Sequence, residues 1–354
     1  MDPLESYSGS LARTLAIRRL VWIFPSIFFL MTHSYADPLV IAHRGASGYL
    51  PEHTLEAKAL AVGMGAGAIE QDVVLTRDGI FIVLHDIHLD TVTDVATVFP
   101  GRAREDGRFY AIDFTFAEIR RLKVSERFER DMGAAVYPGR FPVKAGYFRI
   151  PSLEMEIQLI RGLESSLGRE IPIYVEFKAP AWHRAEGQPM EEALHRLFNQ
   201  YGYTKRESPC WVQCFDPEGL KRLRRLGSDL KQVQLIGSND WNEADVDYEA
   251  LITPKGLKRI AEYADGVGPW LRYCYTMREG RPEPTPFVEA LKDAGLILHP
   301  FTFRADAFPS EDFAGFKEMV RFFVREVGVD GLFTDHPDRV LEVLEDAGSG
   351  SGGR

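Results

Sequence analysis

The chain has 354 residues, of which 45% are hydrophobic and 27% charged, so it is long enough for one large α/β domain or two smaller globular ones. Its formal net charge of -10 argues against nucleic acid or anionic lipid as a partner, because an acidic surface repels both. Any anionic substrate must therefore be held by local positive charge.

The first 36 residues resemble an export signal. Arg18 and Arg19 precede the apolar stretch Leu20–Met31, and Ser34-Tyr35-Ala36 offers small residues at the −3 and −1 positions of a cleavage site. An uncleaved anchor is the alternative, but this stretch is shorter than the ~20 apolar residues that span a bilayer. We therefore expect residues 1–36 to be a signal peptide cleaved near Ala36. The mature chain is expected to be periplasmic or secreted, without stable membrane association.

Three cysteines, Cys210, Cys214 and Cys274, fit no zinc-site spacing. Cys210 and Cys214 flank Trp211-Val212-Gln213, which is predicted as strand, so they lie about 13 Å apart, which is too far for a disulfide. Whether Cys274 pairs with either of them is left open by the sequence.

Short apolar runs alternate with helical patterns along the rest of the chain, which predicts a parallel sheet. The predicted strands are Leu39–Ala42, Ala68–Leu75, Ile80–Leu84, Ile171–Phe177, Trp211–Phe215, Val233–Ile236, Gly266–Pro269, Leu296–Phe303 and Gly331–Thr334. The predicted helices are Thr54–Val62, Pro151–Leu167, Gly187–Gln200, Pro217–Leu226, Pro254–Tyr263, Pro286–Ala294 and Ser310–Val327. Eight or so such units indicate an α/β fold of the TIM-type (β/α)₈ barrel class. A doubly wound sheet is the alternative.

One predicted strand is in excess of the eight that a barrel needs. The turn Thr76-Arg77-Asp78-Gly79 leaves no room for a crossover helix, so the second and third strands are expected to form a hairpin. The alternative is that one of the last two strands lies outside the barrel. Between 89 and 149 the alternation stops, which predicts a small insertion after the third strand. The barrel is predicted over 37–345, followed by a disordered Gly/Ser tail at 346–354.

Histidines and charged residues stand near the carboxyl ends of several predicted strands, where the active sites of such barrels lie. Because side chains alternate between the two faces of a strand, Glu70 and Asp72 share one face, and Glu176 shares a face with Lys178. The side chains expected to converge at the barrel mouth are His43, Glu70, Asp72, His85, Glu176 and Lys178.

Three of these side chains predict a metal site. Glu70, Asp72 and Glu176 offer hard oxygen ligands, which suit Ca²⁺ or Mg²⁺ rather than zinc. A cation there would bind a phosphate oxygen and neutralise charge that builds up in the transition state.

The remaining side chains fit chemistry on a phosphate ester. Arg44 offers a planar fork of donors for a phosphate oxygen, and Lys178 adds a point charge. His43 and His85 fit a general base and a general acid, one activating the nucleophile and the other protonating the leaving alcohol. The sequence does not assign the two roles between them.

The opening motif carries a family resemblance. His-Arg-Gly-Ala-x-Gly-x-x-Pro-Glu-His-Thr at 43–54, Glu-Gln-Asp-Val at 70–73 and Leu-His-Asp at 84–86 resemble the glycerophosphodiester phosphodiesterase family, most closely its secreted, periplasmic-type members. Further segments in family order are Ala111–Phe114, Ile150–Glu154, Val175–Lys178, Gln213–Pro217 and Phe333–Pro337.

The resemblance implies hydrolysis of glycerophosphodiesters to sn-glycerol 3-phosphate and an alcohol. It makes His43 and His85 the catalytic pair and places Arg44 and Lys178 on the phosphate. The implied ligands of a divalent cation are Glu70, Asp72 and Glu176. The sequence does not separate Ca²⁺ from Mg²⁺, and of the two we favour Ca²⁺. Attack by the neighbouring glycerol hydroxyl and direct attack by water both remain open.

Four further residues are candidates for substrate contacts. Glu52 either braces Arg44, binds glycerol hydroxyls or caps the following helix. Gln213 and Phe215 share an inward face and are placed to contact glycerol. Trp270 is a candidate wall of the pocket, although large aromatic residues more often belong to the core.

The sequence thus predicts an enzyme that acts on small soluble glycerophosphodiesters such as glycerophosphocholine. One rival is a phospholipase D- or C-like hydrolase that acts on lipids. The other is a secreted binding protein with a dead site, which would require the loss of an expected residue, and every one is present. The oligomeric state is not predicted.

Overall fold

The structure is a computed structural model that describes residues 37–349, with side chains to residue 346. The predicted signal peptide, 1–36, and residues 350–354 of the predicted tail lie outside the described residues. Over the described range, every helix is too short or too polar to cross a bilayer.

Eight parallel strands form a nearly closed barrel, as the sequence predicted. The described strands are β1 Leu39–Ala42, β2 Ala68–Leu75, β3 Phe81–Val83, β4 Ile173–Phe177, β5 Cys210–Cys214, β6 Lys231–Ile236, β7 Gly266–Pro269, β8 Tyr275–Arg278, β9 Arg281–Pro284, β10 Ile297–Leu298 and β11 Gly331–Thr334. Their order around the barrel is β10-β7-β6-β5-β4-β2-β1-β11. A parallel bridge between Phe303 and Thr334 joins the two ends of this order.

Helices follow most barrel strands and cover the outside of the sheet. They are α1 Leu55–Gly63, α2 Val95–Val98, α3 Phe116–Ile119, α4 Leu153–Leu167, α5 Pro180–Ala185, α6 Met190–Gln200, α7 Pro217–Arg225, α8 Tyr248–Leu251, α9 Pro254–Ile260, α10 Pro286–Asp293, α11 Phe316–Phe322 and α12 Pro337–Ser349. Local sequence sets their ends. The Thr54 hydroxyl caps α1, the Ser152 hydroxyl caps α4, and Gly168 ends α4 in the left-handed conformation.

The excess strand is explained by the predicted hairpin, because β3 pairs antiparallel with β2 and stays off the barrel path. The predicted strand Leu296–Phe303 is regular only at Ile297–Leu298, since Pro300 has no N–H to give to a ladder. The β8–β9 hairpin and α12 were not predicted. The last helix runs to Ser349, so it includes the first residues of the segment predicted as a tail.

Residues 84–152, which include the predicted insertion, connect β3 to α4 with only short helical segments such as α2 and α3. Apolar side chains of this stretch, among them Leu89 and Phe114, pack with Val74 and Ile82 of the β2–β3 hairpin in a separate cluster. The stretch is therefore anchored beside the carboxyl ends of the barrel strands.

The barrel interior below the mouth is filled by side chains, as is usual for this fold. Ile41, Ala68, Tyr174, Val233 and Phe333 form this inner cluster. These side chains fill the barrel below the polar residues at its carboxyl end.

The three cysteines are free and buried, which answers the question of disulfides that the sequence left open. Burial raises the pKa of Cys210 and of Cys214 well above the ordinary value of a thiol. The thiols therefore stay protonated, and Cys210, Cys214 and Cys274 act as small apolar residues of the core.

The burial of two histidines is expected to lower the free energy of unfolding in mild acid. Burial lowers the pKa of His183 to about 4 and that of His299 to about 3, against 6.5 for a free histidine. At pH values between these lowered pKa values and 6.5, the unfolded chain therefore binds more protons than the folded protein. The free energy of unfolding consequently falls as the pH falls through this range. We expect a loss of roughly 2 kcal/mol for each histidine between pH 7 and pH 5.

Urea unfolding at the two pH values measures this loss. His299→Leu is expected to reduce the difference between the two pH values, while His195→Gln, at a half-buried helical position, serves as the control. An equal pH dependence in His299→Leu and in the unaltered protein would contradict the prediction.

Candidate active site

The register of the sheet brings the predicted acidic residues to one level of the barrel mouth. Asp72 on β2 pairs with Glu176 on β4, and Glu176 pairs with Gln213 on β5. Because Ile41 on β1 pairs with Ala68 at the start of β2, Glu70 lies near the end of β1. One ligand oxygen from each of Glu70, Asp72 and Glu176 lies within 4.8 Å of the others.

These three carboxylates are buried and repel one another. Burial and the charge of Asp72 raise the pKa of Glu70 well above its ordinary value. Burial likewise raises the pKa of Glu176, and Asp72 adds to this despite the opposing charge of Lys178. Burial also acts to raise the pKa of Asp72, but the hydrogen bond with His53 holds it well below its ordinary value.

The donor set fits a hard divalent cation. Asp72 Oδ1 is buried without a hydrogen-bond partner, although Asp72 Oδ2 lies 2.8 Å from His53 Nε2. An orphaned carboxylate oxygen between two like-charged neighbours is the arrangement that a cation relieves, since oxygen ligands are those that Ca²⁺ and Mg²⁺ take. The candidate ligands are Glu70, Asp72 and Glu176.

His43, directly after β1, forms a dyad with Asp335, directly after β11. The His43 Nδ1–Asp335 Oδ1 distance is 2.6 Å. Burial raises the pKa of Asp335, but Arg304 and His43 hold it well below its ordinary value, so the carboxylate is charged. Nδ1 therefore carries the ring proton, and Nε2 is left with a free lone pair. Burial and the nearby Arg44 lower the pKa of His43 to about 4.

His85, two residues beyond β3, forms a second dyad of the same kind. Its Nδ1 lies 2.6 Å from Asp86 Oδ1, and its Nε2 lies 3.5 Å from Lys178 Nζ. Burial lowers the pKa of His85, and the charges of Arg44 and Lys178 lower it further. The Nε2 atom of His85 is thereby left as the acceptor, as in His43.

Arg44 is held by the backbone as well as by its charge. Its φ of 61° is left-handed, and its backbone N–H donates to Glu70 Oε2 at 2.6 Å. The next residue must be glycine, because Gly45 has a φ of 86° and a Cβ there would lie 2.8 Å from the carbonyl carbon of Ala57. The guanidinium donates to Glu52 at 3.1 Å, and its Nε is buried without a hydrogen-bond partner.

Lys178 stands behind the carboxylates, at the end of β4. Its Nζ lies 2.7 Å from Glu176 Oε1 and 3.3 Å from Glu243 Oε2. Burial would lower the pKa of Lys178, but the charges of Glu176 and Glu243 raise it above the ordinary value. The ammonium group is therefore charged and supplies the predicted local positive charge.

A cavity of about 510 Å³ opens over this centre. Residues of the predicted site that line it are His43, Arg44, Glu70, His85, Glu176, Gln213, Phe215 and Trp270. Asp72 and Lys178 lie directly behind this lining, in ion pairs with Arg44 and Glu176 respectively. The predicted residues thus meet at one place.

Glu52 is placed as a brace. Both of its carboxylate oxygens accept from Arg127, at 2.6 and 3.0 Å, and Oε2 also accepts from Arg44. The cap of α1 is Thr54 instead. Of the three roles open from the sequence, the structure supports the bracing of Arg44.

Several residues of the site were not predicted. They are the dyad carboxylates Asp86 and Asp335, the arginines Arg127, Arg140 and Arg304, and Glu243 and Trp241 of the cavity wall. The position of Asp335, immediately after a barrel strand, was a signal that could have found it. Nothing in the sequence pattern marked Arg127 or Arg140.

Comparison with known proteins agrees with this geometry. Residues 43–339 match the pattern of the glycerophosphoryl diester phosphodiesterase family. The glycerophosphodiester phosphodiesterase of Haemophilus influenzae is 41% identical over 334 residues, which cover 89% of this chain and 92% of that protein. The enzyme of the same name from Treponema pallidum is 36% identical, covering 87% and 92%.

Solved structures show the same fold. A Silicibacter pomeroyi protein assigned as a glycerophosphoryl diester phosphodiesterase superposes with a TM-score of 0.65 at 27% identity, over 88% of this chain and 94% of that one. A phosphodiesterase of Oleispira antarctica, solved in complex with the product sn-glycerol-3-phosphate, superposes with a TM-score of 0.59 at 20% identity, over 87% and 97%.

Proposed function

Because this chain belongs to the glycerophosphodiester phosphodiesterase family and is a phosphoric diester hydrolase, we propose that it releases sn-glycerol 3-phosphate from small glycerophosphodiesters by histidine acid–base catalysis. The observation that carries this mechanism is the pair of dyads, His43–Asp335 and His85–Asp86, whose histidines line one cavity beside three buried carboxylates. The product bound to the Oleispira antarctica protein supports the choice of product.

In this proposal one histidine acts as the general base and the other as the general acid. In each dyad the carboxylate keeps the proton on Nδ1, so Nε2 is the atom that exchanges protons with the substrate. One histidine accepts a proton from the attacking oxygen, which belongs to water or to the neighbouring glycerol hydroxyl, and the other, once protonated, donates to the oxygen of the leaving alcohol as its bond to phosphorus breaks. Where the glycerol hydroxyl attacks, water then opens the cyclic phosphate to give glycerol 3-phosphate. Asp335 and Asp86 hold the tautomer and stabilise the imidazolium that forms, as the aspartate of a catalytic triad does.

The cationic side chains hold the phosphate. Arg44 lines the cavity with its guanidinium fixed at Glu52, so its fork is oriented before substrate binds. Lys178 Nζ lies 3.5 Å from His85 Nε2, so its positive charge stands beside the proposed site of proton transfer at His85. Glu70, Asp72 and Glu176 would hold a divalent cation, Ca²⁺ in our proposal, which when bound polarises a phosphate oxygen and neutralises its charge.

We further propose that the substrates are soluble diesters such as glycerophosphocholine and that the enzyme is exported by a signal peptide that is cleaved near Ala36. The net charge of -10 supports a soluble substrate over an anionic membrane surface. The run of basic, apolar and small residues at 18–36 supports export. N-terminal sequencing of the protein from a periplasmic fraction tests the site of cleavage.

The test of the proposed function is release of glycerol 3-phosphate from glycerophosphocholine by the purified protein. The assay is run with Ca²⁺, with Mg²⁺ and after chelation, and beside it liposomes of intact phospholipid are offered as substrate. We expect turnover that chelation abolishes and Ca²⁺ restores. Hydrolysis of liposomes without hydrolysis of glycerophosphocholine would overturn the proposal in favour of a lipid-directed enzyme.

A further inference from the structure

Two arginines of the connection between β3 and α4 reach the catalytic mouth. Arg127 and Arg140 are nearly buried, with 15% and 4% of their side chains exposed. Each donates to the carboxylate that holds one of the two histidines. A segment outside the repeating strands and helices thus contacts both dyads.

Arg127 fixes the carboxylate of Asp86 from the side opposite His85. Its Nη1 lies 2.7 Å from Asp86 Oδ2, while Asp86 Oδ1 lies 2.6 Å from His85 Nδ1. The same guanidinium donates to both oxygens of Glu52. Burial would lower the pKa of Arg127, but the charges of Glu52 and Asp86 raise it well above the ordinary value, so the arginine stays charged.

Arg140 donates in the same way to the carboxylate of the other dyad, that of Asp335. Its Nη2 lies 2.8 Å from Asp335 Oδ2, while Asp335 Oδ1 lies 2.6 Å from His43 Nδ1. Two further bonds, at 2.7 and 3.0 Å, tie the guanidinium to Asp306. Arg304 also donates to Asp335 Oδ2, at 2.8 Å.

We propose that Arg127 and Arg140 are positioning residues, through which the connection between β3 and α4 orients the imidazoles of His85 and His43. With one carboxylate oxygen bound to arginine and the other to the histidine, neither aspartate can rotate without losing a charge-assisted hydrogen bond. The proposal rests on the proposed function of the two histidines. It goes beyond that function by making the connection between β3 and α4 part of the catalytic centre.

The two arginines are not equally necessary. Asp335 keeps Arg304 if Arg140 is removed. Asp86 has no second arginine among residues 37–346, and its other partner is the Thr91 hydroxyl at 3.3 Å. The loss of Arg127 should therefore affect catalysis more than the loss of Arg140.

The test replaces Arg127 by Met and, separately, by Lys, and measures release of glycerol 3-phosphate. Arg130→Met is the matched control, because Arg130 lies in the same segment, is 46% exposed, and its one ion pair, to Asp131, spans 3.7 Å. We expect Arg127→Met to lower kcat about 10- to 100-fold, as for other groups that orient functional side chains. Arg127→Lys should recover part of kcat, and Arg140→Met should lose less than Arg127→Met.

A double-mutant cycle with Asp86→Asn separates positioning from general damage. If Arg127 acts through Asp86, the double variant should lose little more kcat than Asp86→Asn alone, because the two residues serve one purpose. Losses that multiply would show that Arg127 acts by another route, which would overturn the proposal.

The outcomes also separate this proposal from the proposed function. An unaltered protein that releases no glycerol 3-phosphate contradicts the proposed function itself. Turnover in the unaltered protein with an equal kcat in Arg127→Met contradicts only the role of Arg127. Should Arg127→Met fail to fold in a thermal melt, Arg127→Lys decides, because a kcat equal to that of the unaltered protein contradicts positioning by a guanidinium that bridges Asp86 and Glu52.

Discussion

Replacing His43 or His85 by Ala is expected to lower kcat for release of glycerol 3-phosphate by about 10²- to 10⁴-fold, the usual contribution of a positioned acid or base. Each histidine presents Nε2 to the cavity, and no other imidazole lines it among residues 37–346, so no neighbour can take over the proton. KM should change little, because the proposed function assigns phosphate binding to Arg44 and Lys178 instead of the histidines. Steady-state kinetics with glycerophosphocholine measures both constants.

The control for this prediction is His88→Ala, which removes an imidazole three residues from His85. His88 packs against Tyr110 with ring centroids 4.4 Å apart and does not line the cavity. Its kcat should stay close to that of the unaltered protein. A His85→Ala variant as active as His88→Ala would remove His85 from the mechanism.

The dyads also predict a distinction between two aspartate variants. Asp86→Asn and Asp335→Asn keep the size of the side chain, but an amide can present its N–H to Nδ1 and so favour the wrong tautomer of the ring. The loss in Asp335→Asn should be the larger, because His43 is also the more deeply placed histidine, with 12% of its side chain exposed against 22% for His85.

The sequence was sufficient to predict the barrel and the acidic centre because both depend on periodic features. Alternation along strands placed Glu70, Asp72 and Glu176 on inward faces, and parallel register then put Asp72 level with Glu176. The β2–β3 hairpin followed from a turn too short for a helix. These inferences require only spacing along the chain.

The contacts that the sequence did not predict depend on segments of irregular backbone or on residues far apart in the chain. Arg127 and Arg140 lie in a segment without strand or helix periodicity, so nothing in their spacing shows that they point to the mouth. The partner of His43 is Asp335, which is 292 residues away and becomes a neighbour only when β11 closes against β1. The sequence leaves the role of Glu52 open because its partner Arg127 is 75 residues further along the chain.

The second large effect is expected for Glu70→Gln, in the acidic triad of Glu70, Asp72 and Glu176. This substitution is expected to change the free energy of unfolding in opposite directions without and with metal. Without metal, burial and the charge of Asp72 raise the pKa of Glu70 well above its ordinary value, so this carboxyl group destabilises the fold near neutral pH. Glu70→Gln removes the group that must be buried charged or take up a proton, so the metal-free variant should unfold at the same or a higher urea concentration than the metal-free unaltered protein. Its oxygen can still accept the backbone N–H of Arg44.

With metal, the order reverses. A cation that binds only the folded protein stabilises it by about 2.7 kcal/mol at a hundredfold excess over Kd, and this gain should disappear in Glu70→Gln. Catalysis should fall about 10³-fold, because a bound cation supplies several kcal/mol of charge stabilisation and each 1.36 kcal/mol is a tenfold change in rate. Urea unfolding with and without Ca²⁺, and calorimetric titration with Ca²⁺, measure the two effects independently of turnover.

The matched control is Glu289→Gln, an exposed carboxylate on α10. It should retain both the stabilisation by Ca²⁺ and full turnover. If Glu70→Gln is stabilised by Ca²⁺ as much as Glu289→Gln is, the cation binds elsewhere. A Glu70→Gln variant less stable than the unaltered protein in the absence of metal would mean that two contacts of Glu70 outweigh the cost of burying it. These are the bond from the Arg44 backbone N–H and the contact of Gln213 Nε2 with Glu70 Oε1 at 3.5 Å.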